Sequence, residues 1–239
     1  MTAQCVVRGD VAVLVVAAGS GVRLGPGVPK ALRTLAGEPL LVHALRRVLG
    51  CPDVAAVVVA VPADQRVPVR DLLAPLAPPG VPVLVVAGGP TRQESVARAL
   101  AAVPPGPDIV LVHDAARALA PAGLVARVAA AVRAGAPAVV PVLPVVDTIK
   151  QVDPGGAVLG TVDRSALRCV QTPQGFRRAV LVAAHQVAAA GHTDDAGLVE
   201  RLGRPVLAVP GDDLAMKITR PVDLVIAEAL LAASGTLAP

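Results

Sequence analysis

The chain has 239 residues, a formal net charge of +4, 54% hydrophobic residues and 17% charged ones. That much hydrophobicity at so low a net charge excludes a disordered or solvating chain. With no Trp, no Tyr and a single Phe (Phe176), a tyrosine proton donor, an aromatic cage for a cation and nearly all base stacking on side chains are excluded as well.

Short Val-rich runs alternate with helical patterns along the chain. Residues 11–17 read as a buried strand, apolar and β-branched, followed directly by glycines. Residues 39–49 read as a helix with Leu40, Leu41, Ala44, Leu45 and Val48 on one face. A strand over 54–61 follows, then a weaker helix over 64–76 with Pro68 near its first turn, and a strand over 81–87. The pattern continues with a helix at 92–103, a strand at 108–113, a helix at 122–134 and a strand at 138–142. Strict alternation predicts right-handed βαβ units and a parallel sheet. Between 142 and 175 the helical pattern stops, and Asp153-Pro154-Gly155-Gly156 marks a turn between two extended pieces. The natural reading is a β-hairpin arm projecting from the sheet. Alternation resumes with a helix at 177–190, a short helix near 194–202, a strand at 206–209 and a helix at 221–233.

Mean hydropathy of +0.65 raises the question of a membrane span. The longest uncharged stretch, residues 72–91, holds five prolines and three glycines, too many breaks for a lipid-exposed helix. The first residues carry Asp10 inside the apolar segment and make a poor signal peptide. Cys5, Cys51 and Cys169 are widely spaced and fit neither a disulfide framework nor a zinc motif. A cytoplasmic protein away from membranes is expected. The cations are dispersed arginines without interleaved aromatics, and so nucleic acid is not an expected partner. Only three lysines occur, Lys30, Lys150 and Lys217.

The segment from Ala17 to Lys30, AAGSGVRLGPGVPK, follows the first strand, where an open α/β sheet binds its ligands. Its third glycine comes one residue late for a dinucleotide fingerprint, and Ala31 after Lys30 rules out a P-loop. What remains is a glycine loop with Arg23 and Lys30 seven residues apart. Two cations on such a loop suit a triphosphate whose charge must be neutralised as pyrophosphate leaves. In VHDAAR, Asp114 stands at the carboxyl end of a strand, where it either holds Mg²⁺ or caps the following turn. His113 reads as structural or as a support to the site, and for Thr193-Asp194-Asp195 helix capping is the favoured role.

These pieces, with GGPTRQES (88–95), VDTIK (146–150), VDR (162–164), QTPQGF (171–176), TDDA (193–196) and MKITRPVDL (216–224), stand in an order that resembles the 2-C-methyl-D-erythritol 4-phosphate cytidylyltransferase family. The similarity spans roughly residues 9 to 232. Ribitol-5-phosphate cytidylyltransferase is the closest alternative, and a nucleotide-dependent oxidoreductase or a non-catalytic nucleotide binder a more remote one.

The resemblance implies one nucleotidyltransferase domain over 1–239, of doubly wound α/β type with a mostly parallel sheet, and a dimerisation arm at about 143–172 that clasps a second subunit. It implies that Arg23, Lys30, Arg164 and Lys217 take part in catalysis. Ala17, Ala18, Gly19, Gly89 and Ser95 are implied to shape the cytidine pocket. Arg117, Thr148, Arg164 and Lys217 are implied to bind the acceptor, Thr148 and Arg164 from the partner's arm, with Thr172 and Thr219 as weaker candidates. Asp114 is implied to bind Mg²⁺ or another divalent cation. Two departures from the family pattern, Ala31 and Pro90, fall beside the nucleotide site.

Overall fold

The computed structural model describes residues 9–19, 21, 24, 27–187 and 194–236, with side chains to 233. In chain order the strands are β1 (Val11–Val16), β2 (Thr34–Leu35), β3 (Glu38–Pro39), β4 (Val54–Val61), β5 (Val83–Ala87), β6 (Ile109–Asp114), β7 (Ala138–Pro144), β8 (Ile149–Val152), β9 (Val158–Val162), β10 (Arg168–Val170), β11 (Gln174–Arg177) and β12 (Val206–Pro210). The helices are α1 (Leu40–Leu49), α2 (Arg66–Leu73), α3 (Arg92–Ala101), α4 (Ala122–Arg133), α5 (Arg178–Val187), α6 (Ala196–Arg201) and α7 (Pro221–Thr236).

The central sheet runs β5-β4-β1-β6-β11-β7. β12 lies parallel along one edge of β7, while β11 and then β10 share its other edge in antiparallel fashion. The sheet is therefore mixed but mostly parallel, with its antiparallel strands on one side. Side-chain alternation divides the core in two. Val11, Val13 and Val15 with Val57, Val59 and Val61 face α1, α2 and α4. Ala12 and Leu14 with Ala56, Val58 and Ala60 face α3, α5 and α6. Helices on both faces explain why β1 and β4 read as unbroken apolar runs.

Three details depart from the pattern expected of the sequence. The weak helix at 64–76 shortens to α2, flanked by single 3₁₀ turns at Ala63–Gln65 and Ala74–Leu76. β11 is a strand that the sequence did not signal, and it moves the start of the following helix from Arg177 to Arg178. Its Gly175 packs against α4 so closely that a Cβ there would lie 2.5 Å from Val128 Cγ1 and 2.9 Å from Leu111 Cδ2. β2 and β3, a two-residue ribbon leading into α1, had no signal at all. Beyond residue 187, the expected end of the helix at 177–190 lies outside the described residues.

Among the described residues, β8 and β9 pair only with each other, forming a separate hairpin. Val152, Val158 and Leu159 on it, with Val146 before it and Val170 on β10, are exposed apolar residues. No helix of the described residues is long and apolar enough to cross a membrane.

Candidate active site

The carboxyl ends of β1, β5 and β6 open on one cleft. The register of β1 on β6 sets Val16 opposite Asp114, so the chain leaves β1 beside the residue that ends β6. The Ala17 N–H donates to the Ala60 carbonyl (2.8 Å), and the Gly88 N–H donates to the Val61 carbonyl (2.7 Å), bringing residues 17–19 and 88–91 side by side. A Cβ on Gly88 would stand 2.5 Å from the Ala18 Cβ, and one on Gly89 would stand 2.3 Å from the Glu94 Cβ. Only glycines permit that approach.

Below this loop, α3 begins with a capping box: the Thr91 hydroxyl accepts from the Glu94 N–H while the Glu94 carboxylate accepts from the Thr91 N–H. Ser95, 1% exposed, accepts from the Gly89 N–H (3.0 Å) and donates to the Thr91 carbonyl (2.9 Å). Its hydroxyl is spent on fixing the loop.

The cleft encloses about 420 Å³. Its walls include Ala17, Ala18, Gly19, Lys30, Gly89, Ser95, Asp114, Lys217 and Thr219, which are thus brought together as the sequence suggested. Ala31 and Pro90, the departures from the family pattern that were expected beside the nucleotide site, also face it. Lys30 starts a 3₁₀ turn, Lys30–Leu32, and its Cβ sits against Gly21, whose φ of +68° is in the left-handed region. Arg23 lies outside the described residues.

The floor of the cleft is charged. Asp114 Oδ2 accepts from Lys217 Nζ (2.7 Å), and Oδ1 is 3.3 Å from Arg92 Nε. Burial opposes ionisation here, but Arg92 and Lys217 outweigh it and hold the Asp114 carboxyl well below the usual carboxylate range. The Asp114 N–H donates to the Thr172 hydroxyl (3.0 Å), whose oxygen is 3.1 Å from His113 Nδ1. Burial pushes the His113 pKa down to about 4. His113 is therefore a neutral support to Asp114, and Thr172 spends its hydroxyl on the same support.

Arg117 stands apart from the cleft wall. Its guanidinium donates to the carbonyls of Ala215 (2.6 Å) and Val170 (3.1 Å), bracing the turn that leads to Lys217, and its buried Nε has no hydrogen-bond partner. Thr148 and Arg164 belong to the arm and do not line the cleft of their own chain. Arg164 donates instead to the Val146 carbonyl.

The pair Asp194-Asp195 divides its labour in a way the sequence did not reveal. Asp194 serves α6, accepting from the Gly197 N–H (3.0 Å), and also takes the Gln174 amide (2.8 Å). Asp195 makes no cap bond; it is buried and accepts from Arg92 Nη1 (2.6 Å). Arg92 is the cleft residue that motif reading passed over, although its place at the start of α3, one residue after an N-cap threonine, was a usable signal.

A metal ion is a fair test of this donor set. Among the described residues, no three His, Cys, Asp or Glu side chains converge as a cage. Asp114 offers a single carboxylate, with both oxygens engaged by cations. That suits an Mg²⁺ carried in by phosphates, which needs one or two protein carboxylates, and does not suit an ion held by protein alone.

The family profile described as IspD, 2-C-methyl-D-erythritol 4-phosphate cytidylyltransferase, matches residues 11–233. The chain belongs to this family. It is thus a cytidylyltransferase, one of the nucleotidyltransferases. A 2-C-methyl-D-erythritol 4-phosphate cytidylyltransferase of Streptomyces avermitilis is 54% identical over 228 residues, covering 92% of this chain and 91% of the relative. One from Saccharopolyspora erythraea is 56% identical over 226 residues, covering 93% of this chain and all of the relative. The crystal structure of the enzyme from Thermus thermophilus superposes with a TM-score of 0.76 at 42% identity, covering 93% of this chain and 99% of that one.

Proposed function

We propose that the cleft carries out the reaction of the family, joining CTP and 2-C-methyl-D-erythritol 4-phosphate to give 4-diphosphocytidyl-2-C-methyl-D-erythritol and pyrophosphate, with the residues above in the following roles. The observation that carries this assignment is the convergence of the backbone loops 17–19 and 89–91 with Lys30, Asp114 and Lys217 on one cavity.

Ala17, Ala18, Gly19 and Gly89 offer backbone groups to the cytosine edge, held in register by Ser95. This is the form of recognition open to a site without an aromatic ring. Lys30, with Arg23, places positive charge beside the triphosphate. A phosphate oxygen of the acceptor attacks the α-phosphorus in line, the bond from that phosphorus to the bridging oxygen of the β-phosphate breaks, and pyrophosphate departs. No covalent enzyme intermediate is required. Positioning and fixed charge supply the catalysis. Lys217 holds the acceptor's phosphate beside Asp114. Asp114 also serves as the carboxylate for a nucleotide-borne Mg²⁺ or another divalent cation, which would supply further neutralisation of the phosphates.

The arm at 143–172 enters this reading as a clasp on a second copy, through which Arg164 and Thr148 reach the partner's cleft and Arg117 supports the acceptor side from within. Its exposed Val152, Val158 and Leu159 are apolar surface that a partner would cover. A cytoplasmic location goes with the reading, Cys51 and Cys169 being free thiols.

Pyrophosphate release is the test. With Mg²⁺, CTP and methylerythritol phosphate should release it. Ribitol 5-phosphate in place of the acceptor, or UTP in place of CTP, should fall far behind. Equal rates with the two acceptors would overturn the acceptor assignment, and binding of CTP without any release would reduce the chain to a nucleotide-binding protein.

A further inference from the structure

Arg92 has no part in the roles above, yet it lies in the cleft wall and is held by two carboxylates. The contacts are unequal. Nη1 donates to Asp195 at 2.6 Å, while Nε reaches Asp114 at 3.3 Å. Asp195 is nearly sealed, its side chain 1% exposed, and its second oxygen is 3.0 Å from Nε2 of His185, itself 6% exposed. Asp114 gives its second oxygen to Lys217. The result is a continuous run, His185–Asp195–Arg92–Asp114–Lys217, that starts behind the wall and ends in the cleft.

This arrangement is not the one a guanidinium adopts when left to itself beside a carboxylate. Nε and Nη2 form one flat edge that matches both oxygens of a carboxylate in a two-pronged contact. Arg92 could make that contact with Asp114 if it were free to turn. Its grip on Asp195 prevents it, and the long Asp114 contact is the outcome. A carboxylate seized on both oxygens by Arg92 would release Lys217. The loops 17–19 and 88–89 would be untouched, because backbone hydrogen bonds and Ser95 hold them.

We propose that Asp195, backed by His185, is a positioning residue for cytidylyl transfer. It restrains Arg92 so that Asp114 stays shared with Lys217 on the acceptor side of the cleft. The inference rests on the roles given to Asp114 and Lys217 under the proposed function.

The experiment is a mutant cycle on the full chain. Asp195→Asn should lower kcat by about tenfold or more and raise the KM for methylerythritol phosphate, with the calorimetric Kd for CTP changed by less than about threefold. Adding Arg92→Met removes the guanidinium that would seize Asp114, so the double variant should turn over faster than Asp195→Asn alone. Losses that multiply in the double variant, or an Asp195→Asn enzyme with unchanged kcat and KM, would overturn the proposal.

His185→Gln keeps the buried ion pair and covers the case in which Asp195→Asn does not fold. It should cost about threefold in kcat, and that cost should vanish in the Arg92→Met background. The same cost in both backgrounds overturns the proposal. Lys217→Ala separates the two levels. If it leaves the acceptor KM unchanged, the reading of the acceptor site fails. If it raises that KM while the Asp195 losses multiply, only the positioning role fails.

Discussion

Lys30 sits on a short turn at the rim of the cleft, partly exposed, where loss of its side chain removes charge and little packing. Lys30→Ala should lower kcat by about 10²–10³-fold, while calorimetry should find Tm within about 2 °C of the parent. Near-normal turnover would remove Lys30 from the triphosphate. Gly21→Ala tests the same side chain indirectly, since its Cβ would fall 2.3 Å from the Lys30 Cβ at a φ of +68°. It should lower kcat in the same direction by displacing the Lys30 side chain. His113 gives a pH prediction of definite sign. Its pKa is about 4 in the folded chain against about 6.5 unfolded. Between those values only the unfolded chain takes up the proton, so stability falls as pH drops through that window, by up to about 3 kcal/mol. Asp114, depressed rather than raised, keeps its contribution until pH falls below about 4. Tm measured from pH 7 to pH 5 should therefore drop, and His113→Asn should flatten the drop. A parent slope equal to the variant's would contradict the assignment. At this scale Lys30, Asp114 and Lys217 were legible because each stands in a local motif. Arg92 and Asp195 stand in the pieces GGPTRQES and TDDA as well, but their pairing across 103 residues has no local signature.

Among the elements, β1 and β4 were plain in the sequence because both faces of a central parallel strand are buried, and eight or so apolar residues in a row have few other uses. β11 was not. Four residues with a glycine and an arginine carry no strand pattern, and only the slot between β6 and β7 makes them one. Gly175 shows what that slot demands. Any side chain there meets Val128, Leu111 and Val132, two of them stiff β-branched residues. Gly175→Ala should destabilise the chain by about 1–3 kcal/mol, read as a lower Tm, with the CTP affinity of the surviving folded fraction unchanged. An unchanged Tm would mean that α4 and the sheet are looser here than the packing indicates. The arm was legible for the opposite reason: it interrupts the alternation with a Pro-Gly-Gly turn, and β8 and β9 lie on either side of it.

For the molecule as a whole, one chain does not complete the acceptor site on the reading above, because Arg164 is on the arm and Lys217 lies in the cleft. Arg164→Ala and Lys217→Ala should each be poorly active alone. Mixed and allowed to exchange subunits, they should recover up to about half of the parent activity per heterodimer, since one of its two sites then carries both lesions and the other neither. No recovery, with exchange demonstrated by mass spectrometry, would place both residues at a site within one chain. The outline of the fold and the location of the cleft could be read ahead because they follow from local periodicity. A second copy's contribution is an expectation from the resemblance alone, because spacing along one chain carries no information about the surface of another.

Phe176, which has no Tyr or Trp beside it in the sequence, is fully buried in the sheet, and no aromatic ring is among the described residues of the cleft wall. The protein is consequently almost dark in the near ultraviolet, and a bound cytosine is its only strong chromophore there. Nucleotide retained through purification would announce itself as an absorbance that the polypeptide cannot supply. Without a stacking partner, the base should also keep nearly the intensity it has in water, so that occupancy can be read directly from a spectrum without label or coupled enzyme.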